Sequence, residues 1–359
     1  MRRLRKLIVV AAVACLVAAS ARAEEAFYKG KRLTILINFA VGGPTDIEGR
    51  LFAKYIARHL PGEPSILVQN MDGAGGIVGA KFLGEVAPAD GTMVGYFTGT
   101  GFMYALDPSR FRVDFKTYCF VAIQGGTTIH FVRTDVPPGM KNAVDIVKAQ
   151  GLIGGGLSVD TPKDLRMRLG LDMLGVPFKY VTGYRSSPPA RLAFQKGEIN
   201  MFSESPPSYR SVVEPNLVAT GQAIPVFYDA YYNGGEFRPP SQMAGLAILP
   251  FHELYRKIKA VLPSGPLWTN YQAITASDGA MQRVIVFPPG TPEAARRALA
   301  DAIAALNADK EHASEALATI GFVPEWEAGN GLDQSVQAAL SVSPEVRSFL
   351  ADYMKAANK

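Results

Sequence analysis

Histidine, cysteine and charge are all scarce in this chain of 359 residues, which has four histidines, two cysteines and only 19% charged side chains. His59, His130, His252 and His312 stand in four separate segments without ligand spacing, so no metal site is expected. His130, inside an apolar run, reads as a hydrogen-bonded structural histidine. Cys15 falls in a leader described below, which leaves Cys119 alone. An intrachain disulfide is thereby excluded, and the apolar residues around Cys119 predict a packed thiol rather than a nucleophile. No apolar run reaches the roughly 20 residues that a membrane span needs. Gly73-Ala74-Gly75 opens like a dinucleotide fingerprint, but Val78 occupies its last glycine position, and there is no Gly-Lys-Ser/Thr phosphate loop or G-x-S-x-G elbow. Neither a nucleotide nor any other cofactor is expected.

What is present begins with an export signal. Arg2, Arg3, Arg5 and Lys6 precede the apolar run 7–19, and Ser20-Ala21-Arg22-Ala23 supplies an Ala-x-Ala end, so residues 1–23 are expected to be a cleaved signal peptide. Ala12-Val13-Ala14 lacks the leucine usual ahead of a lipidated cysteine, so no lipid anchor is expected on Cys15. The signal holds five basic residues and no acid. Without it the 37 Lys and Arg fall to 32 and balance the 32 Asp and Glu. A formally neutral mature protein offers nucleic acid no electrostatic footprint. A soluble monomer in an exported compartment is expected.

The strongest local pattern is the stretch 33–49. Apolar residues from Leu33 to Phe39 have the length of a buried strand, and Gly42-Gly43-Pro44-Thr45-Asp46 follows with the chemistry of a tight turn and a helix start. Glycine lets backbone come close to a ligand, Thr45 or Asp46 can cap the helix, and amides at a helix start attract an anion. About thirty residues later the same grammar returns in Ile66-Leu67-Val68, the turn from Asn70 to Gly76, and the helical run from Ile77 to Leu83. Glycine-rich turns at the carboxyl ends of neighbouring parallel strands open on one crevice. A third strand, Thr92 to Phe97, leads to another small polar loop, Thr98-Gly99-Thr100-Gly101.

Gly125-Gly126, between two strand-like runs, predicts a crossing into a second lobe. The expected organisation is a first part of lobe 1 over residues 24–125, lobe 2 over 126–224, and a return to lobe 1 with C-terminal helices over 225–359. In lobe 2, Ser158, Thr161 and Ser203 offer hydroxyls, and the loop Tyr184-Arg185-Ser186 offers a ring, a cation and a hydroxyl. Asp46 is expected to fix its turn rather than touch an anion, because like charges repel. Residues 229–280, rich in glycine, proline and aromatics, carry no clear period. Beyond them the chain reads as a strand over 282–287, a helix over 294–306, and helical stretches over 310–320 and 332–356.

Several of these motifs together resemble the Bug-type extracytoplasmic solute receptors of tripartite tricarboxylate transporters. They are Phe39-Ala40-Val41-Gly42-Gly43-Pro44-Thr45-Asp46, Val68-Gln69-Asn70 leading to Gly73-Ala74-Gly75-Gly76 and Gly79, Ala87-Pro88 with Asp90-Gly91-Thr92, and Phe287-Pro288-Pro289-Gly290-Thr291-Pro292. The resemblance implies a type II periplasmic-binding-protein fold, with two α/β lobes joined by crossing hinge strands and closing over a small carboxylate. By position it places Phe39, Gly43, Thr45, Asp46, Ala74, Gly75 and Gly76 around one ligand carboxylate, with the distal end of the ligand facing lobe 2. It also implies a periplasmic location and membrane permease subunits as partners. The chain departs from the family pattern at Val41, at Met71-Asp72, at Arg185-Ser186, at Asp164 and at Asn200, and its 229–280 segment is longer than expected. Two rivals to a transport receptor stay open: an exported sensor that presents its ligand to a signalling receptor, and a hydrolase or lyase on the same frame.

Overall fold

Alternation along the first strand sets the layering. In Arg32–Ile37 (β1), Leu33, Ile35 and Ile37 enter one apolar cluster and Leu36 another, so both faces are covered, as in a parallel sheet flanked by helices. This computed structural model describes residues 26–233, 236–329 and 331–356, and the expected signal peptide, 1–23, lies outside the described residues. The later strands are β2 (Ser65–Asn70), β3 (Met93–Thr98), β4 (Cys119–Gln124), β5 (Ile129–Arg133), β6 (Leu152–Gly155), β7 (Phe178–Val181), β8 (Met201–Glu204), β9 (Ala223–Tyr228), β10 (Tyr231–Asn233), β11 (Glu236–Arg238), β12 (Arg283–Phe287) and β13 (Glu327–Ala328).

Two sheets result. The first has the order β13-β4-β12-β3-β1-β2, with β1 parallel to both β2 and β3, and β12 antiparallel to β3 and β4. The second has the order β7-β6-β8-β5-β9, with β6 parallel to β7 and β8, and β5 antiparallel to β8 and β9. Each sheet centres one lobe. Three segments meet where the lobes join: Gly126 N–H donates to Gly279 O (2.9 Å), Asp229 N–H to Thr128 O (3.0 Å), and the Gln282 amide to Thr127 O (2.7 Å).

The elements differ from the sequence reading where proline or tertiary packing intervenes. Pro44, whose missing N–H suits the first position of a helix, starts the helix Pro44–Ile56 ahead of both expected caps, so Gly43 holds the cap position and neither Thr45 nor Asp46 caps it. The polar loop after β3 is itself the start of a helix, Thr100–Leu106. The helical stretch expected over 332–356 divides into Leu332–Ala339 and Pro344–Ala356, because Pro344 begins a helix more readily than it continues one. β9 stays paired with β5 as far as Tyr228. The illegible segment 229–280 contains the hairpin β10–β11 and the helices Phe251–Lys259 and Pro266–Ala280. Trp268, Tyr271 and Ile274 of the latter pack with Phe227 and Phe251 on the second lobe, so burial rather than periodicity defines it.

Candidate functional site

Because β1, β2 and β3 are parallel neighbours, the loops after them emerge together, and β1 lies between the other two. The helices that follow β1 and β2 pack into different clusters on opposite faces of the sheet, which makes the carboxyl end of β1 a topological switch point. Asn38, fully buried just after β1, ties the loops to one another. Its Nδ2 donates toward Gly76 O (3.3 Å), Thr98 O (3.1 Å) and Thr100 Oγ1 (3.2 Å), and its Oδ1 accepts from Thr98 N–H (3.1 Å).

The first loop is held from below. Asp46 accepts from Gly42 N–H, Arg50 Nε and Asn70 Nδ2, each at 2.9 Å. Its charge is therefore committed to the turn and to Arg50. The Thr45 and Thr98 hydroxyls lie 2.9 Å apart and link the first loop to the third. Amides in the first turn of the helix Pro44–Ile56 have no intrahelical partner. The second loop runs through positive φ at Gly73, Ala74, Gly75 and Gly76. A Cβ on Gly75 would stand 2.9 Å from Thr161 Cγ2, so its bare backbone is what lets lobe 2 approach.

Lobe 2 answers with a loop organised by Asp164. One carboxylate oxygen accepts Leu157 N–H (2.7 Å), Ser158 N–H (3.3 Å) and the Thr161 hydroxyl at the start of the helix Pro162–Leu174. Lys163 donates to Ser203 O (2.8 Å) and lies over the Phe202 ring. Arg191 reaches across the cleft. It donates to Glu204 Oε1 (2.6 Å) and Ser208 Oγ (2.7 Å) in its own lobe and to Gly42 O (2.9 Å) in the other.

Between these surfaces lies a cavity of about 50 Å³. From lobe 1 it is lined by Phe39, Gly43, Pro44, Thr45, Gly75, Thr98 and Gly99, and from lobe 2 by Thr128, Leu157, Thr161, Pro162, Lys163, Ser187, Glu204 and Ser205, with Asp278 and Gln282 from the junction. Five residues singled out in the sequence, Phe39, Gly43, Thr45, Gly75 and Thr161, thus share one wall system. The others lie outside the lining. Asp46 and Gly76 are buried behind the loops, and Ala74 is exposed. Ser158 bonds Asp160, and Tyr184 packs beside the apolar cluster around Phe131 and Phe194. Arg185 is three-quarters exposed and pairs with Asp72 of lobe 1 at 3.3 Å. Ser186 holds the cap position of the helix Ser187–Lys196 without a side-chain capping bond, and Ser203 is sealed behind the wall.

Behind the cavity runs a buried polar chain that the sequence did not reveal. The Ser203 hydroxyl meets His130 Nδ1 (2.7 Å), His130 Nε2 meets Asp229 (3.1 Å), and Tyr271 donates to Asp229. Arg166 then pairs with Asp229 (2.7 Å) and with Asp278 (2.8 Å). Burial opposes the charge on Asp229, but Arg166 and then His130 outweigh it and hold its carboxyl below the usual range. Burial prevails at Asp278, whose carboxyl is pushed up despite the same arginine. Among the described residues no group of His, Cys, Asp and Glu is arranged to hold a metal ion.

No protein-family profile matches the chain. A UPF0065 protein of Agrobacterium vitis is 28% identical over 195 residues, covering 53% of this chain and 56% of its own length. A UPF0065 protein of Bordetella pertussis is 23% identical over 301 residues, 82% of this chain and 81% of its own. The chain therefore spans little more than half of the first relative. Among solved structures, the periplasmic binding protein BugD matches with a TM-score of 0.65 at 18% identity, over 92% of this chain and 99% of that one. MatC of Rhodopseudomonas palustris, with bound malate, matches at 0.61 and 18%, over 92% and 99%. A second R. palustris protein, with adipate, matches at 0.62 and 19%, over 91% and 96%. These structures share this chain's fold, a two-lobed α/β architecture.

Proposed function

We propose that the chain is an exported, periplasmic solute-binding protein that captures a small carboxylate-bearing ligand by lobe closure. It delivers that ligand to the permease subunits of a tripartite tricarboxylate-type membrane transporter. The observation that carries this reading is the convergence of the loops 39–45 and 73–76, tied through Asn38, on one cavity that lobe 2 covers from the other side. Helix-start amides favour a carboxylate by hydrogen bonding and by the helix dipole together. BugD is a periplasmic binding protein, and the malate and adipate held by two neighbours are carboxylates. Binding without turnover is favoured by the arrangement of Ser203, His130 and Asp229. The order is that of a hydrolase triad, but Ser203 is fully buried outside the cavity lining and Asp229 is committed to Arg166.

A ligand that touches both lobes favours the closed state; one held by lobe 1 alone binds without moving the equilibrium. A thermal-shift panel of mono-, di- and tricarboxylates and aromatic acids on the mature protein tests the reading. A ligand at a hundredfold excess over Kd adds about 2.7 kcal/mol of apparent stability. Gly43→Val, which puts a branched side chain into the cavity wall, should abolish that gain. No stabilisation by any acid, or an equal gain in the variant, would refute the site. Ligand-dependent retention of a permease, rather than a signalling receptor, by the tagged protein separates transport from sensing.

A further inference from the structure

The lobe 2 wall also carries a carboxylate. Glu204, the last residue of β8, is fully buried and lines the cavity. Its Oε1 accepts from Arg191, while its Oε2 has no hydrogen-bond partner among the described residues. A buried carboxylate oxygen without a donor is unfavourable, and a ligand hydrogen-bond donor would satisfy it. Arg191 is held in place rather than turned toward an anion, because three of its five N–H donors already serve Glu204, Ser208 and Gly42.

The charges of the walls point the same way. Arg191 offsets Glu204, and the single Arg166 is shared by Asp229 and Asp278. Among the described residues Lys163 is the one lysine or arginine in the lining, and it sits 3.7 Å from Asp164. The helix-start amides and Lys163 therefore offer enough for one negative charge and leave no cation for a second. The volume agrees with a short ligand, since about 50 Å³ holds the centres of about four waters at roughly 10–15 Å³ each.

Building on the carboxylate reading above, we infer that Glu204 selects a short monocarboxylate bearing a hydrogen-bond donor, a hydroxyl, amide or ammonium group, at its far end. Di- and tricarboxylates are rejected because their second carboxylate would face Glu204 and Asp278. Specificity arises as much from that repulsion as from the new hydrogen bond.

Malonamate and malonate test this directly, being alike in shape and different at one end. Calorimetry on the mature protein should give malonamate a Kd at least tenfold lower than malonate, with propionate weaker than malonamate. 3-Hydroxypropionate and β-alanine then separate a hydroxyl from an ammonium preference. Glu204→Gln keeps an oxygen for Arg191 and turns an NH2 toward the ligand, so it should reverse the malonamate-to-malonate order by at least tenfold. Malonate binding as tightly as malonamate to the wild-type protein overturns the assignment, whether or not the variant folds. An unchanged order in a folded Glu204→Gln protein also overturns it. If none of these short acids binds and a longer acid does, this inference fails while the carboxylate reading stands; if no acid of any length binds, both fail.

Discussion

Gly75→Ala should separate stability from binding. Gly75 sits at φ +67° and ψ 20°, the left-handed region, where a side chain costs about 1–2 kcal/mol. Its new methyl would lie 3.0 Å from Met103 Cε, a flexible end that can swing aside, and 2.9 Å from Thr161 Cγ2. Thr161 belongs to lobe 2, so the second contact exists only while the lobes are together. It cannot retreat freely, because its hydroxyl bonds Ser158 O (2.9 Å) and Asp164. The backbone cost lowers the unfolding free energy with or without ligand. The clash across the cleft penalises closure alone, and overpacking of this kind costs about 1–3 kcal/mol. A rise in Kd of roughly five- to 150-fold follows. Calorimetry with the strongest ligand of the acid panel, alongside thermal melts, reads the two effects separately. Adding Thr161→Ser removes Cγ2 and keeps the hydroxyl, so the double variant should regain affinity without regaining Tm. Unchanged affinity in Gly75→Ala, or no recovery in the double variant, would refute the reasoning.

Arg191→Met should leave Glu204 buried without its partner and cost about 3–5 kcal/mol in urea unfolding, with the loss reduced when Glu204→Gln is added. Asp72→Asn breaks only the exposed rim pair with Arg185, which is worth at most about 1 kcal/mol, so Kd should rise by less than about fivefold and the difference should vanish near 0.5 M salt. The two aspartates on Arg166 pull stability in opposite directions with pH. The depressed carboxyl of Asp229 contributes above the ordinary value of 3.8, and that contribution is lost as pH falls through its folded pKa. The raised carboxyl of Asp278 contributes below 3.8, and that contribution is lost as pH rises toward its folded pKa. Asp278→Asn should therefore unfold at relatively higher urea than the wild type as pH climbs from roughly 4 to 7, and a constant difference across that range would contradict the assignment.

The first lobe was legible because its signals are local. Apolar runs, paired glycines and Pro44 lie within a few residues of one another and place the strand, turn and helix. Asn38 left a weaker trace, a polar residue inside an apolar run, and a buried amide there demands partners; its partners lie as far along the chain as Thr100. On the second lobe Thr161 lines the cavity as chosen, but other wall side chains sit one position from those chosen in the sequence. Ser203 faces His130 while Glu204 lines the cavity, since successive residues of a strand point to opposite faces. Ser187 similarly lines the cavity in place of Ser186. No local pattern could announce the Arg166–Asp278 pair, whose members are 112 residues apart and meet only when the helix Pro266–Ala280 packs on Pro162–Leu174.

The surfaces that meet across the cleft explain how little a ligand has to supply. A Cβ on Gly42 would stand 3.7 Å from Pro188, and one on Gly99 3.7 Å from Pro162, so bare backbone faces rigid rings at both places. Neither partner has rotamers to freeze, and closure there costs little conformational entropy. The polar contacts from Arg191 to Gly42 O and from Arg185 to Asp72 involve no ligand atom, so they stabilise the closed form by themselves. Only contacts that a ligand makes differently in the two states move the equilibrium further, and a protein already biased toward closure loses less apparent affinity to the unproductive open state. Weakening the Arg191 reach to Gly42 should thus lower affinity for every ligand by a common factor. Changes at Glu204 should instead reorder the ligands, because that carboxylate faces what the amides of lobe 1 do not touch.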